Sequence, residues 1–449
     1  MNDPAATPVT ASCRGRLFLM MVLEFFIWGA WLPLIFGYLP SLGFSPWQQS
    51  LVLNAFPLAS IVGMFFSNQW ADRKFVPETF LAGSHLLGGL AILGCGFTTA
   101  FWPFFLLMLA HCLLYVPTLS IVNSIAFAHM RDPRKEFGVV RVGGTLGWIL
   151  AAWPFTFIFV DWDAVGAVPT SGWVNWLGTA LAHPLTGSAA SAATRWTFIV
   201  AGLASLLLVV VSLTLPRRER VTHRSDAATE KLAWLKALTL LRHPHVLVLW
   251  LVTLLDAFVH NAYFNWTAIF LGAPKAAGGV GIAANWIAPV MSVGQVAEIL
   301  TMLFLGAALK RLGWRVTLII GILGHAARFA VYAFWPESTG FIIAIQLLHG
   351  VCYAFFFATV YIFVDAYFPK DIRSSAQGLF NLQILGIGVL LANSLCPWLM
   401  QNVYTQGGVT DFRGLFLVPL IVASLGAITL ALFFRPPPQP GRQPVENRE

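Results

Sequence analysis

Charge is what this sequence has least of. Only 10% of its 449 residues are Asp, Glu, Lys or Arg, while 58% are hydrophobic; soluble domains carry nearer a quarter charged residues. A chain of this size cannot cover itself with so little polar surface, which excludes an ordinary water-soluble fold and places the apolar excess in lipid. Cysteine is scarce too. Cys13, Cys95, Cys112, Cys352 and Cys396 are odd in number and contain no CxxC, so neither a disulfide framework nor a zinc site is expected. The start lacks a cleavable signal. Met1 to Ser12 is polar, Arg14 and Arg16 follow, and then comes an apolar stretch long enough to span, which reads as a retained first helix.

Catalytic signatures are missing as well. No Ser-His-Asp or paired-carboxylate set can be assembled, and His243 and His245 have no converging metal partners. GGTLGW (143–148) and LGIGVL (385–390) follow no strand, so they read as small-residue helix contacts and not as phosphate loops. No enzyme activity, cofactor or metal is expected. The net charge of +8 raises nucleic acid as a partner, but its distribution points to membrane topology instead.

What the chain has is a series of apolar spans. They centre in 17–38, 49–68, 79–99, 103–127, 139–160, 195–215, 245–271, 283–308, 316–335, 339–366, 378–400 and 414–435. Each has roughly 20 residues or more, enough to cross ~30 Å of hydrocarbon as a helix. Helices are expected because backbone groups in lipid must be satisfied within the segment. The expected fold is therefore an all-α membrane protein of about twelve transmembrane helices. Of the 27 Lys and Arg, only Arg195, Lys275 and Arg413 fall in odd-numbered loops; Arg141 and Arg328 lie inside spans, and the rest sit in the N-tail, the even-numbered loops and the C-tail. The bias places both termini in the cytoplasm.

The domain reading is an N-terminal bundle over 1–216, a basic cytoplasmic linker over 217–243, a C-terminal bundle over 244–436 and a disordered Pro-rich tail over 437–449. An amphipathic interfacial helix is expected in the second part of the linker. FSNQWADRKF (66–75) and FLGAALKRLGWR (304–315) are short basic turns after the second span of each half, the internal repeat expected of a two-halved secondary transporter. The Gly/Ala/Pro/Trp-rich segment 161–194 is an external loop, either a lid or a partly ordered connection.

A charge at the bilayer centre costs at least ~2.5–3.5 kcal/mol, so it needs a partner or a wet cavity. The ionisable residues well inside spans are Glu24, His111, Arg141, Asp256, His260, Glu298, His325, Arg328 and His349. Arg141, Thr145 and Trp148 share one helix face, a cation, a hydroxyl and an aromatic ring suited to a polar, planar ligand; a structural Arg paired with a carboxylate is the alternative. Gln295 and Glu298 share a face one turn apart, fit either for ligand hydroxyls or for an interhelical bond. Asp256, His260 and Tyr263 form one stripe, Asn261 and Asn265 a neighbouring one, and a cavity would wet either. His349 and Tyr353 stand one turn apart as a pocket pair or a packing pair. Glu24, beside Trp28 and Trp31, reads as a proton site or as a partner for Arg141. His325 and Arg328 read as structural.

At these residues the chain resembles the bacterial nucleoside:proton symporter family, a branch of the major facilitator superfamily. The resemblance is carried by EFFIWGAWLP (24–33), LLYVPTLSIVNSIAF (113–127), RVGGTLGW (141–148), MSVGQVAEIL (291–300), DIRSSAQGLF (371–380) and VYTQGGVTDFRGLF (403–416). It implies two six-helix bundles rocking about a central site, in a multi-pass monomer of the bacterial inner membrane whose partners are a nucleoside, a proton and the lipid bilayer, with no nucleic acid. It implies substrate contacts at Arg141, Thr145, Trp148, Asn261, Gln295, Glu298, His349 and Tyr353. Two positions depart from the pattern: Ala354 stands where an acidic residue is expected, and Glu24 where Gln is usual. The proton-coupling candidates are Glu298 first, then Asp256 and Glu24. The rival readings are a transporter of a sugar or another polar metabolite, a non-transporting nucleoside sensor, and a membrane-embedded enzyme.

Overall fold

The computed structural model describes residues 11–62, 76–129, 133–216, 238–368 and 373–436. The turn 66–75, most of the linker and the tail 437–449 lie outside the described residues. The elements that position the site are α1 (Ala11–Ser41), α2 (Pro46–Val62), α3 (Pro77–Cys95), α4 (Phe101–Tyr115), α5 (Thr118–Ala128), α6 (Pro133–Ala152), α7 (Trp196–Thr214), α8 (Pro244–Gly272), α9 (Ala284–Phe334), α10 (Leu348–Cys352), α11 (Gly388–Trp398) and α12 (Phe412–Phe433). Among the described residues, nine helical stretches are long and apolar enough to cross a membrane. The longest, α9, carries two of the expected spans; Gly313, at φ 75°, breaks it between them, a left-handed position that glycine adopts without a Cβ penalty. The only strands among the described residues are the two-residue pair Thr405–Gln406 and Val409–Thr410.

Outward faces are apolar. Leu203, Leu207, Val210 and Leu213 on α7, and Ile421, Leu425, Ile428 and Leu432 on α12, are all exposed at helical spacing. In water such stripes would be a liability; against acyl chains they need no partner.

Inside, helices pack through small residues. GGTLGW lies along α1, where a Cβ on Gly143 would sit 2.9 Å from the Phe18 carbonyl oxygen and one on Gly147 only 2.0 Å from that of Val22. On α10, a Cβ on Gly350 would meet the α9 backbone at Ala297, 2.4 Å away. Lipid provides no hydrophobic drive between helices, so this close backbone approach supplies the packing. Helices before residue 216 pack chiefly on one another, α1 on α6 and α7, and α3 on α4 and α7. Those after 238 do likewise, α9 on α10 and α12, and α8 on α11 and α12. The two sets meet along a seam made by α1 with α8, α2 with α11 and α6 with α9.

The segment 161–194 is more ordered than a loop. It folds into the short helices Trp162–Gly166, Trp173–Ala182 and Gly187–Ala193. Trp162 stacks on Trp176 with centroids 5.8 Å apart, and the Asn285 side chain, at the start of α9, donates to the Leu181 carbonyl (3.2 Å). Sequence reading missed these helices because each is too short to show a period.

Gly147→Ala is expected to lower the thermal unfolding midpoint in detergent, since overpacking costs typically about 1–3 kcal/mol. Gly83→Ala, where an added Cβ meets nothing within 4 Å, should leave the midpoint in place.

Candidate functional site

Three groups of polar side chains are buried in this apolar body, one in each half and one along the seam.

In the first half Glu24 is fully buried and both carboxylate oxygens are engaged. Oε2 lies 2.9 Å from His85 Nε2, and Thr118 donates to Oε1 at 2.7 Å. The other His85 nitrogen meets Ser205 Oγ at 2.9 Å, and the Tyr115 hydroxyl donates to the Glu24 carbonyl at 2.6 Å. Glu24 therefore partners His85 and not Arg141, which corrects one of the two sequence readings. His85 escaped notice because it sits nearer the start of its span; a search for every imidazole in an apolar segment would have found it.

In the second half Asp256, His325, Arg328 and Gln346 are fully buried and His349 almost so. His325 Nδ1 lies 2.8 Å from Asp256 Oδ1, and His260 Nδ1 lies 3.3 Å from His325 Nε2. Arg328 donates to His349 Nδ1 at 3.0 Å and lies 3.9 Å over the Tyr263 ring. The Tyr263 hydroxyl in turn donates to Gln346 (3.1 Å). His325 and Arg328 thus face the stripes of α8 and α10.

The seam carries the third group. Arg141 on α6 lies 4.3 Å over the Phe25 ring, and α6 packs across the seam on α9, which carries Gln295 and Glu298. Among the described residues no hydrogen bond or ion pair of 4 Å or less joins Arg141 to Glu298. Toward the Ser41 end, a narrow gap of about 10 Å³ is lined by Gly29, Pro33, Trp148, Phe264, Ser292 and Gln295, among others. Trp148 meets Trp28 edge-on at 5.2 Å and Phe264, across the seam, at 6.4 Å. Gln295 Oε1 and Trp28 Nε1 are buried with no partner in the protein. Such atoms cost about 1–3 kcal/mol each when left unpaired, so they mark where a polar ligand would be rewarded. The gap is far smaller than the ~300–1,000 Å³ of small-molecule sites, so the halves are closed on each other here and must part to admit a ligand.

Of the residues singled out in sequence, Arg141, Thr145 and Trp148 line one face of α6, and Gln295 and Glu298 line the facing side of α9. Tyr353 joins them from the π-helical turn Tyr353–Ala358, a feature frequent at functional sites. His349 stands a layer behind, its ring 5.2 Å from those of His260 and Tyr263. The Asn261 amide donates to the Ala257 carbonyl of its own helix (2.8 Å). Asn265 instead donates to Asn393 of its own half (3.0 Å), and Asn393 joins the halves by donating to the Leu53 carbonyl (2.9 Å). Asn54 adds a bond to Ser394 (2.9 Å). Asn393, Ser394 and Asn54 carried no sequence signal, because a neutral amide or hydroxyl in a span is common.

Two helical sets that meet along a seam carrying buried polar side chains define a membrane transporter of the major facilitator fold. The crystal structure of the nucleoside transporter NupG superposes with a TM-score of 0.77 at 22% identity, covering 95% of this chain and 100% of that one. The nucleoside H+ symporter family model matches residues 11–171 and 158–439, and the chain belongs to that family. The Escherichia coli K12 protein YegT is 30% identical over 431 residues, 94% of this chain and 93% of its own length. The xanthosine permease of the same organism is 24% identical over 419 residues, 91% of this chain and 92% of its own length. This is a multi-pass protein of the bacterial inner membrane and a transporter, not an enzyme.

Glu24→Ala would strip the acceptor from His85 and Thr118 together. Breaking a buried pair from one side costs about 3–5 kcal/mol, so a marked fall in the unfolding midpoint of the ligand-free protein in detergent is expected.

Proposed function

We propose that this chain imports nucleosides together with protons, gripping the substrate between its halves and alternating access by rocking them about the seam. The observation that carries the reading is a gap on the seam lined by Trp148 from the first half and by Phe264, Ser292 and Gln295 from the second, where the buried Gln295 Oε1 has no partner.

The seam chemistry suits a nucleoside in detail. Gln295 and Glu298 lie one turn apart and can accept from adjacent ribose hydroxyls, while Arg141, about 10 Å along α6 from Trp148 at 1.5 Å per residue, donates to the same sugar. Trp148 and Tyr353 offer ring faces to the base. The free amide oxygen of Asn261 reads the base edge, Thr145 adds a hydroxyl, and His349 supports the contact layer from behind. Because Arg141 and Glu298 are not bonded to one another, each can turn to a ligand without first breaking an ion pair. A proton crossing the full membrane potential supplies ~2.3 kcal/mol per 100 mV, enough to concentrate the substrate.

The working unit we propose is a monomer of about twelve spans with both termini in the cytoplasm. The bundles 1–216 and 244–436 move as bodies joined by the linker 217–243.

In proteoliposomes, labelled uridine or adenosine should accumulate when the outside is acidic and the membrane energised. Competition by a panel of nucleosides, bases and sugars should favour nucleosides. Accumulation that survives collapse of the proton gradient rules out proton symport, and competition by sugars alone replaces the substrate class. Arg141→Ala and Glu298→Gln should each weaken nucleoside binding about 10- to 100-fold, the loss of one charge-assisted hydrogen bond; unchanged affinity in both would return the pair to structure.

A further inference from the structure

The polar chain in the second half is larger than packing requires. Beside one carboxylate and one guanidinium it holds three imidazoles, drawn from three separate helical stretches. Asp256 Oδ1 meets His325 (2.8 Å), and His325 meets His260 (3.3 Å). His260 is part-exposed on the seam side of α8, edge-on to the Phe264 ring that lines the nucleoside cleft (5.4 Å). At the buried end Asp256 Oδ2 has no partner, and neither do Arg328 Nε and Nη2. The line therefore starts beside the cleft and ends on a carboxylate with a vacant oxygen.

We infer that Asp256, His325 and His260 form the proton-carrying site of this transporter: a relay that takes a proton at His260 from the central cleft and stores it on Asp256. The inference rests on the proton-coupled import proposed above.

The transfer balances with the atoms in place. His260 Nδ1–H donates to His325 Nε2, and His325 Nδ1–H donates to Asp256 Oδ1. A proton arriving at His260 Nε2 lets each ring release the proton on its far nitrogen. Asp256 becomes protonated, both rings end neutral as their Nε2–H tautomers, and no electron changes hands. Arg328 holds the remaining imidazole out of the line: its donated hydrogen bond requires His349 Nδ1 to be an acceptor, so His349 stays neutral while Arg328 is charged.

The groups that surround the relay are limited. From α8 come Asp256, His260 and Tyr263; from α9 come His325, Arg328 and Tyr332; from the 345–352 stretch come Gln346, His349 and Cys352. Among the described residues, the other stretches packed on α8 bond no charge to the relay, and Arg242 of the 240–242 turn is exposed. The stretch 388–398 has no charged residue, Arg413 of α12 lies over Phe334 at the far end, and Glu24 of α1 is bonded to His85 and Thr118. Glu24 differs from Asp256 in that both its oxygens are already taken.

The test uses the full-length protein in proteoliposomes with a pH dye inside. Two assays run in parallel: gradient-driven nucleoside accumulation with its proton influx, and nucleoside counterflow, which exchanges labelled for unlabelled substrate without a gradient. His325→Gln and Asp256→Asn are expected to lose at least ten-fold in accumulation and in nucleoside-induced proton influx while retaining counterflow. His260→Gln is expected to slow proton influx with counterflow again retained. If both His325→Gln and Asp256→Asn accumulate nucleoside and take up protons as the parent does, the relay is overturned. If Glu298→Gln, at saturating nucleoside and with counterflow intact, abolishes proton influx while His325→Gln and Asp256→Asn keep it, coupling belongs to the seam and the relay is likewise overturned. Variants that keep the parent's unfolding midpoint yet lose counterflow as well make the chain structural. Should Asp256→Asn fail to fold, His325→Gln and His260→Gln decide between the same outcomes. A parent that shows no nucleoside-dependent proton influx refutes the import proposal itself, a different result from any of these.

Discussion

A polar side chain inside an apolar bundle must find a partner or water, and most of this structure follows from how that demand is met. A spanning segment cannot carry an orphan charge cheaply, so each buried ionisable group gathers neighbours from other helices. Glu24 draws His85, Thr118 and, through its carbonyl, Tyr115. Arg328 draws His349 and the Tyr263 face. These contacts tie together helices far apart in sequence, where glycine contacts such as Gly147 against Val22 bring backbones close but specify little about which residues must face each other.

The seam obeys the same rule with different outcomes along its length. Gly143 packs on Phe18 and Gly147 on Val22, so Arg141 stands level with the first half of α1. Asn54 lies eight residues into α2, which begins just after α1 ends, and so sits toward the Ser41 end. There the halves are joined by direct bonds, Asn393 to Leu53 and Asn54 to Ser394, with Asn265 bonded to Asn393 behind them. Level with Arg141 the halves meet where α6 packs on α9. The neutral amide and hydroxyl bonds at the Ser41 end are the contacts that must break when that end opens.

Much of this was legible in the sequence. The scarcity of charge and the row of apolar spans define the class, and the spacing of Arg141 with Trp148 and of Gln295 with Glu298 puts each set on one face. The motif RVGGTLGW carries both the contact surface for α1 and a seam residue. What the sequence could not reveal is pairing between helices. Whether Glu24 meets Arg141 or His85 depends on which way α1 turns, and one-dimensional spacing says nothing about that. Asn393 and Ser394 look like ordinary span residues until α2 is placed beside them. The short helices of 162–193 leave no period to read, and Gly313 looks no different from the other glycines until the backbone turns there.

Each half holds one carboxylate against a histidine, and the comparison between them separates support from chemistry. Around Glu24, every acceptor position used by a neighbour is a fixed bond to a nearby hydroxyl or imidazole, so a change of protonation would cost several of them together. Around Asp256, one oxygen is bonded and the other is vacant, so the group can gain a proton without giving up its place. Arg328 belongs to the same polar group without being bonded to Asp256: it is held by His349 and by the face of the Tyr263 ring, so Asp256 is free of the fixed partners that lock Glu24 in place.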